Sequence, residues 1–231
     1  MTTRFAGASL SDMSLEKILS EIGSTKLLAV SKLQPVEKIR DLYNQGQRRF
    51  GENYVQEALD KIEQLADLKD IEWHLIGHLQ KNKAKYVVGK FHLIHSVDSL
   101  ELAQTLSRQC EAKKVEQNIL IQVNLAEEET KSGFDKSTVT QQWAELIKLP
   151  GLKIFGLMTM PPLTETGEEV RPYFRELREL REQLKKQADA NTHPMTELSM
   201  GTSHDYLVAI EEGATIVRLG TILFGERPVK R

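Results

Sequence analysis

The chain has a single cysteine, Cys110, in 231 residues. A lone thiol can neither close an intrachain disulfide nor build a thiolate cluster for zinc, which fits a reducing cytosol. Long apolar runs are missing too: none approaches about 18 residues, and the opening segment MTTRFAGASLSDMSLEKIL has no continuous apolar core of the kind a secretory leader carries. A cytoplasmic protein without a transmembrane span is therefore expected. Neither sign of charge dominates, since 31 Lys and Arg stand against 33 Asp and Glu for a formal net charge of −2. Nothing in that balance calls for a nucleic-acid or membrane partner. A Gly-rich first turn is also absent, which weighs against an open, doubly wound nucleotide-binding sheet.

What is present is ordinary for a globular chain, with 40% hydrophobic and 28% charged residues. A chain of this length buries roughly 70–75% of its unfolded surface and can fold without staples. Short runs rich in Val, Ile, Leu and Phe recur, each followed by a longer stretch of helical periodicity. The predicted strands are 26–31, 48–52, 72–77, 92–97, 118–124, 153–158, 196–200 and 215–220. Helices are predicted near 35–46, 53–66, 79–89, 99–114, 136–148, 168–190 and 204–212, with one more near 11–22 and a short one or a tail after the last strand. Eight βα units of near-even size predict an α/β fold: a single-domain (β/α)8 TIM barrel over 1–231 with an N-terminal helix. The longest loops, 125–135 and 159–170, each follow a strand, which puts them on the catalytic face of such a barrel.

Closure of the barrel brings the C-terminal strand ends together at one mouth. The first strand, within LLAVSK, ends on Lys32. An inward-pointing lysine there is partly desolvated, which favours a neutral amine able to attack a carbonyl as a Schiff-base nucleophile; the alternative is a lysine that snorkels to solvent. The stretch LSMGTSHDY places Ser199, Gly201, Thr202 and Ser203 before a predicted helix, where hydroxyls and backbone N–H groups can meet an anion. The alternative is that Thr202 or Ser203 is only a helix cap. The eighth strand ends VRLGTILFG, with Arg218 two residues before Gly220 on the same face and Thr221 next to it. A guanidinium buried there needs an acceptor, either a pyridine nitrogen or a carboxylate such as Glu197 or Glu52.

Other features carry less. His74 and His78 are four apart across a predicted strand-to-helix break and lack a third ligand, so no metal is expected. The basic residues of 81–85 and the RELREL and REQLKKQ segments read as solvated helix faces. Trp73, Trp143 and the methionines read as core.

The segments AVSKLQP, RRFGENYVQE, WHLIGHLQKNK, GLMTM, LSMGTSHDY and VRLGTILFG, in this order from about residue 26 to 227, resemble the pyridoxal phosphate homeostasis proteins. That resemblance implies a fold-type III barrel similar to the N-terminal domain of alanine racemase. It implies that Lys32 forms a Schiff base with pyridoxal 5′-phosphate, that Ser203, Gly220 and Thr221 hold the phosphate, and that Gly201 and Thr202 shape the loop. Arg218 would then face the pyridine nitrogen, with Asn53 near the ring. An arginine at that nitrogen makes the ring a weak electron sink. The racemases add a second base from another domain, for which this chain has no room. The expected role is homeostasis of the cofactor and of amino-acid and keto-acid pools without turnover, in a monomer that serves pyridoxal-phosphate-dependent apo-enzymes. The rival readings are a racemase-like enzyme, a cofactor-free Schiff-base aldolase, and a barrel that acts by protein contact.

Overall fold

A computed structural model describes residues 14–126, 128 and 132–225. Eight parallel strands close on themselves in sequence order: β1 Lys26–Val30, β2 Arg49–Glu52, β3 Glu72–Leu75, β4 Leu93–Val97, β5 Gln117–Gln122, β6 Leu152–Met158, β7 Glu197–Ser199 and β8 Ile216–Leu219. Closure is made by β8 lying along β1, with Arg218 opposite Leu28 and Leu219 opposite Ala29. Each predicted strand is present with its bounds within two residues of expectation: most are trimmed, whereas β5 and β6 each start one residue earlier. The strands are apolar on both faces because one packs on helices and the other fills the barrel; all five residues of β4 are buried.

The helices are α1 Leu15–Ile22, α2 Val36–Asn44, α3 Val55–Gln64, α4 Ala84–Val87, α5 Leu100–Lys113, α6 Lys136–Leu146, α7 Arg171–Lys185, α8 Tyr206–Glu211 and α9 Thr221–Phe224. The part of the expected N-terminal helix before residue 14 lies outside the described residues. Ser14, Ser99 and Asp135 cap α1, α5 and α6 by accepting a backbone N–H from the first turn, which satisfies donors a helix start leaves open. Helix α7 shows how burial fixes a helix whose other faces are charged. Phe174, Leu177, Leu180 and Leu184 recur at spacings of three and four and are buried, contributing on the order of 6–12 kcal/mol before entropy is charged against them.

Two helices fall furthest short of the periodicity. The segment 79–89 forms a 3-10 turn at Lys81–Lys83 and the single turn of α4, because QKNK offers no apolar face and the chain leaves through Gly89 at φ 78°. The 168–190 prediction overshoots α7 at both ends. It begins as a 3-10 turn, Gly167–Val170, behind a Thr166–Glu169 capping box. It ends at Lys185, after which Asp189 gathers the N–H groups of Asn191, Thr192 and His193 into a turn.

The main core lies between sheet and helices. A separate cluster, Leu28, Leu93, Leu120, Met158 and Ile216, fills the barrel interior. Beside it runs a column of polar residues, His74, His95, Ser199 and Arg218, all at most 3% exposed.

Candidate functional site

The upper mouth holds an open cavity of about 200 Å³. Of the residues expected at the site, Lys32, Asn53, Thr202, Ser203, Arg218, Gly220 and Thr221 line it. Gly201 does not, but it decides the path of the loop behind. It sits at φ 92°, and a Cβ there would fall 2.7 Å from that of Ala209, so only glycine lets the chain pass so close to α8. The cavity also takes Val30, Ile76, Met160 and His204. Val30 and Ile76 share the inward face with residues two positions away, a signal already in the strand alternation. Met160 corrects the reading of the methionines as core: it is 49% exposed, whereas Met158, Met195 and Met200 are buried.

Lys32 reaches the mouth from a turn that is held from behind. Ser31, Lys32 and Leu33 follow β1, and Leu33 stands at φ 61°, a left-handed conformation that costs roughly 1–2 kcal/mol. A buried network offsets that cost. The Lys61 ammonium donates to the Ser31 carbonyl at 2.7 Å, to Glu52 Oε1 at 2.8 Å and to Glu57 Oε1 at 2.7 Å. Glu57 Oε1 also accepts the Leu33 N–H at 2.6 Å, and Glu52 Oε1 accepts the Ser31 hydroxyl at 2.6 Å. Burial pushes the Glu52 carboxyl above its ordinary range, against the pull of Lys61. Lys61 and Glu52 are 6% and 0% exposed at their side chains, so this is an ion pair removed from water, with all three ammonium protons used.

Arg218 has neither of the carboxylates considered for it. Glu197 bonds to Lys26 at the lower end of the barrel, 2.6 Å away, and Glu52 belongs to the Lys61 network. The guanidinium donates instead to Ser199 Oγ at 2.7 Å and to the Thr159 carbonyl at 2.9 Å. Among the described residues no ion pair includes it, and burial pushes it down to about 10. It is a cation with neutral partners, aimed at a cavity, and so suited to an acceptor from outside the chain.

Ser199 thus stands inside the barrel behind Arg218 and does not face the start of α8. The capping alternative for Thr202 and Ser203 is also not what forms. Asp205 occupies the cap position, and its Oδ1 accepts both the N–H and the hydroxyl of Thr202, drawing the loop back on itself. Ser203 is left on the cavity wall.

Behind Ser199 the polar column continues. Ser199 Oγ lies 2.9 Å from His95 Nδ1, and His95 Nε2 lies 2.8 Å from His74 Nδ1. A guanidinium only donates, so the Ser199 hydroxyl accepts from it; its own hydrogen, buried, is satisfied when it goes to His95 Nδ1 2.9 Å away. His95 then carries its proton on Nε2 and donates to His74 Nδ1. Burial holds both imidazoles well below their ordinary range, hence neutral. Sequence spacing shows none of this, because the column draws on β3, β4, β7 and β8.

Asn53 supplies a second open valence, since its Oδ1 is buried without a partner. Its backbone is held by Gly77, where a Cβ would fall 2.1 Å from the Asn53 carbonyl oxygen. An amine, a guanidinium without a carboxylate, an unpartnered amide oxygen and the hydroxyls of Ser203 and Thr221 share one cavity. Such a set suits a small anionic ligand with a reactive carbonyl and a ring acceptor, and the pyridoxal phosphate implied by the sequence resemblance fits it.

Comparison with known proteins gives a consistent result. The family described as "Alanine racemase, N-terminal domain" matches residues 14–228. The pyridoxal phosphate homeostasis protein of Aquifex aeolicus is 51% identical over 202 residues, 87% of each chain. The structure of PipY from Synechococcus elongatus without pyridoxal phosphate superposes with a TM-score of 0.87 at 42% identity, over 91% of this chain and 98% of that one. Its form with the cofactor bound gives 0.81 over 88% and 93%. An alanine racemase from Corynebacterium glutamicum shares the fold at 18% identity with a TM-score of 0.66, over 91% of this chain but 58% of its own.

Proposed function

Because the chain belongs to the alanine racemase N-terminal domain family, and within it to the pyridoxal phosphate homeostasis proteins, we propose that it binds pyridoxal 5′-phosphate at the upper mouth and serves the homeostasis of that cofactor without turnover. The observation that carries this reading is the convergence of Lys32 and a carboxylate-free Arg218 on one cavity. When bound, the cofactor supplies an electrophilic aldehyde and an electron-withdrawing pyridine ring. Lys32 provides the amine for covalent attachment. Ser203, Thr221 and the Gly220 backbone hold the phosphate, in a loop shaped by Gly201 and Thr202. Asn53 lies beside the ring.

Arg218 sets the limit on chemistry. With its proton bound up to about pH 10, it donates to the ring nitrogen and does not surrender that proton at neutrality. The nitrogen therefore stays an acceptor and the ring a weak electron sink. A racemase needs a second base on the far face of its substrate. The ionisable side chains that line the cavity among the described residues are Lys32, His204 and Arg218, with no tyrosine. The weak electron sink supports a carrier over an enzyme, with His204 the cavity side chain to which a second-base role would fall. Pyridoxal-phosphate-dependent apo-enzymes are the proposed recipients. The chain is proposed to work as a cytoplasmic monomer, in keeping with exposed apolar side chains spread over separate elements, such as Leu19, Tyr86, Leu163 and Leu207. No helix among the described residues is long and apolar enough to cross a membrane.

Solvent-deuterium incorporation at Cα across a panel of L-amino acids tests the carrier role. The expected result is exchange no faster than with free pyridoxal phosphate. Rapid, saturable exchange with one amino acid would replace the carrier with a racemase-like enzyme.

A further inference from the structure

At the lower end of the barrel, opposite the cofactor mouth, a second group of side chains has no part in the proposed function. Glu72 opens β3, His74 follows on the same face, and His92 stands just before the neighbouring strand β4. One ligand atom from each lies within 4.8 Å of the others. His74 is 2% exposed, and with Nδ1 engaged by His95 its Nε2 is buried without any partner. All three residues line one cavity, which reaches solvent at the exposed His92. Buried polar atoms are paired as a rule, so an orphan ring nitrogen in a cavity wall marks a place where something binds. The sequence hid this cluster, because His74 invites pairing with His78, while its true neighbours come from two strands.

We propose that Glu72, His74 and His92 bind a first-row transition-metal dication of the zinc class. Two imidazoles and a carboxylate are the donors such borderline ions take, with the remaining position open to water. Arg49 Nε bonds to Glu72 Oε2 at 2.8 Å, which orients the carboxylate and leaves its other oxygen for the ion. A tetrahedral site needs ligand atoms about 3.3 Å apart, and exposed His92 is the arm that moves to close it. The fixed charges facing the site are Lys26 on β1, Arg49 on β2, Glu72 on β3 and Glu197 on β7. Lys26 pairs with Glu197 and Arg49 with Glu72, so the ion meets no net repulsion and binds exchangeably rather than as a requirement for folding.

Occupation has a consequence inside the barrel. An ion on His74 Nε2 needs that atom's lone pair, so the single proton of the neutral ring moves from Nε2 to Nδ1 and is donated to His95 Nε2. His95 then carries its remaining proton on Nδ1 and donates to Ser199 Oγ. This reverses the order of the metal-free column, and it links the lower site to the hydroxyl that positions Arg218.

The test uses tag-free full-length protein with Co²⁺ as the probe. One equivalent should produce visible ligand-field bands that Zn²⁺ displaces. His92→Ala, at an exposed position, and Glu72→Gln should each weaken binding tenfold or more, while His78→Ala should leave it unchanged. On adding Zn²⁺, the ring ¹⁵N signals of His74 and His95 should exchange protonated for unprotonated positions. Absence of saturable bands, binding undiminished in His92→Ala, binding lost in His78→Ala, or an unchanged ¹⁵N order with metal bound would each overturn the proposal.

Discussion

Lys61 makes the sharpest demand on the stability of the site. Its ammonium, almost wholly buried, is bonded to the Ser31 carbonyl, Glu52 and Glu57 at 2.7–2.8 Å. Lys61→Met keeps the volume and removes the charge. Glu52 is then left at 0% exposure with Ser31 as its remaining partner and Oε2 already unpaired. Breaking one side of such a pair costs about 3–5 kcal/mol, a large part of the about 5–15 kcal/mol that holds a domain folded. The loss should depend on pH. Burial already raises the Glu52 carboxyl and Lys61 opposes that shift, so without Lys61 it rises further above its unfolded value. A carboxyl raised on folding holds its proton more tightly in the native state, and stability falls as pH climbs above the unfolded value of about 4.3. Urea unfolding should therefore show Lys61→Met regaining stability between about pH 7 and about pH 5. Adding Glu52→Gln should recover a large part of the loss at neutral pH. Because the Ser31–Leu33 turn loses its anchor, the variant should also retain less pyridoxal phosphate. A variant within about 1 kcal/mol of its parent at neutral pH, or one indifferent to pH, would refute the reasoning.

Other perturbations follow from the same contacts. Arg218→Met should leave the cofactor-free protein at least as stable as its parent, since burial depresses the guanidinium and no carboxylate repays it; pyridoxal phosphate affinity, read by absorbance titration, should fall about tenfold or more with loss of a charge-assisted bond. Asp135 caps α6 through the Thr138 N–H at 2.8 Å, and its hydrogen bonds with Ser137 and Thr138 hold its carboxyl down to about 2. Asp135→Ala should thus cost about 1 kcal/mol at neutral pH, a difference that is complete above the ordinary carboxylate range and vanishes as pH falls through about 2. Cys110 is 0% exposed with its thiol pushed up to about 11; it should resist aromatic disulfide reagents while folded and react at once in denaturant.

The barrel was legible because each strand is a compact apolar run and each helix carries its own stripe, so periodicity marks both. The mouth was legible for a related reason: strand ends are local in sequence, and closure alone brings Lys32, Asn53 and the 201–203 and 218–221 segments together. Interior pairings were not. The partner of Arg218 comes from β7 and the loop after β6, and the choice between Glu197 and Glu52 was settled by Lys26 and Lys61, each of which claims one of them. The turn that presents Lys32 depends on Lys61, 30 residues from Ser31 along the chain, which reads in sequence as an ordinary surface lysine of α3. The polar column is made of contacts between strands, and in the lower cluster only Glu72 and His74 share a strand and its alternation, while His92 comes from beside β4.

Lys32 is proposed to carry pyridoxal phosphate at the upper mouth. Borohydride reduction of the protein loaded with pyridoxal phosphate, followed by peptide mass mapping, addresses it directly. A visible absorption band should vanish on reduction, with a pyridoxyl mass on the peptide containing Lys32 and none in Lys32→Ala. A colourless protein that takes up no cofactor, or a label on any other lysine with Lys32 unmodified, would contradict it.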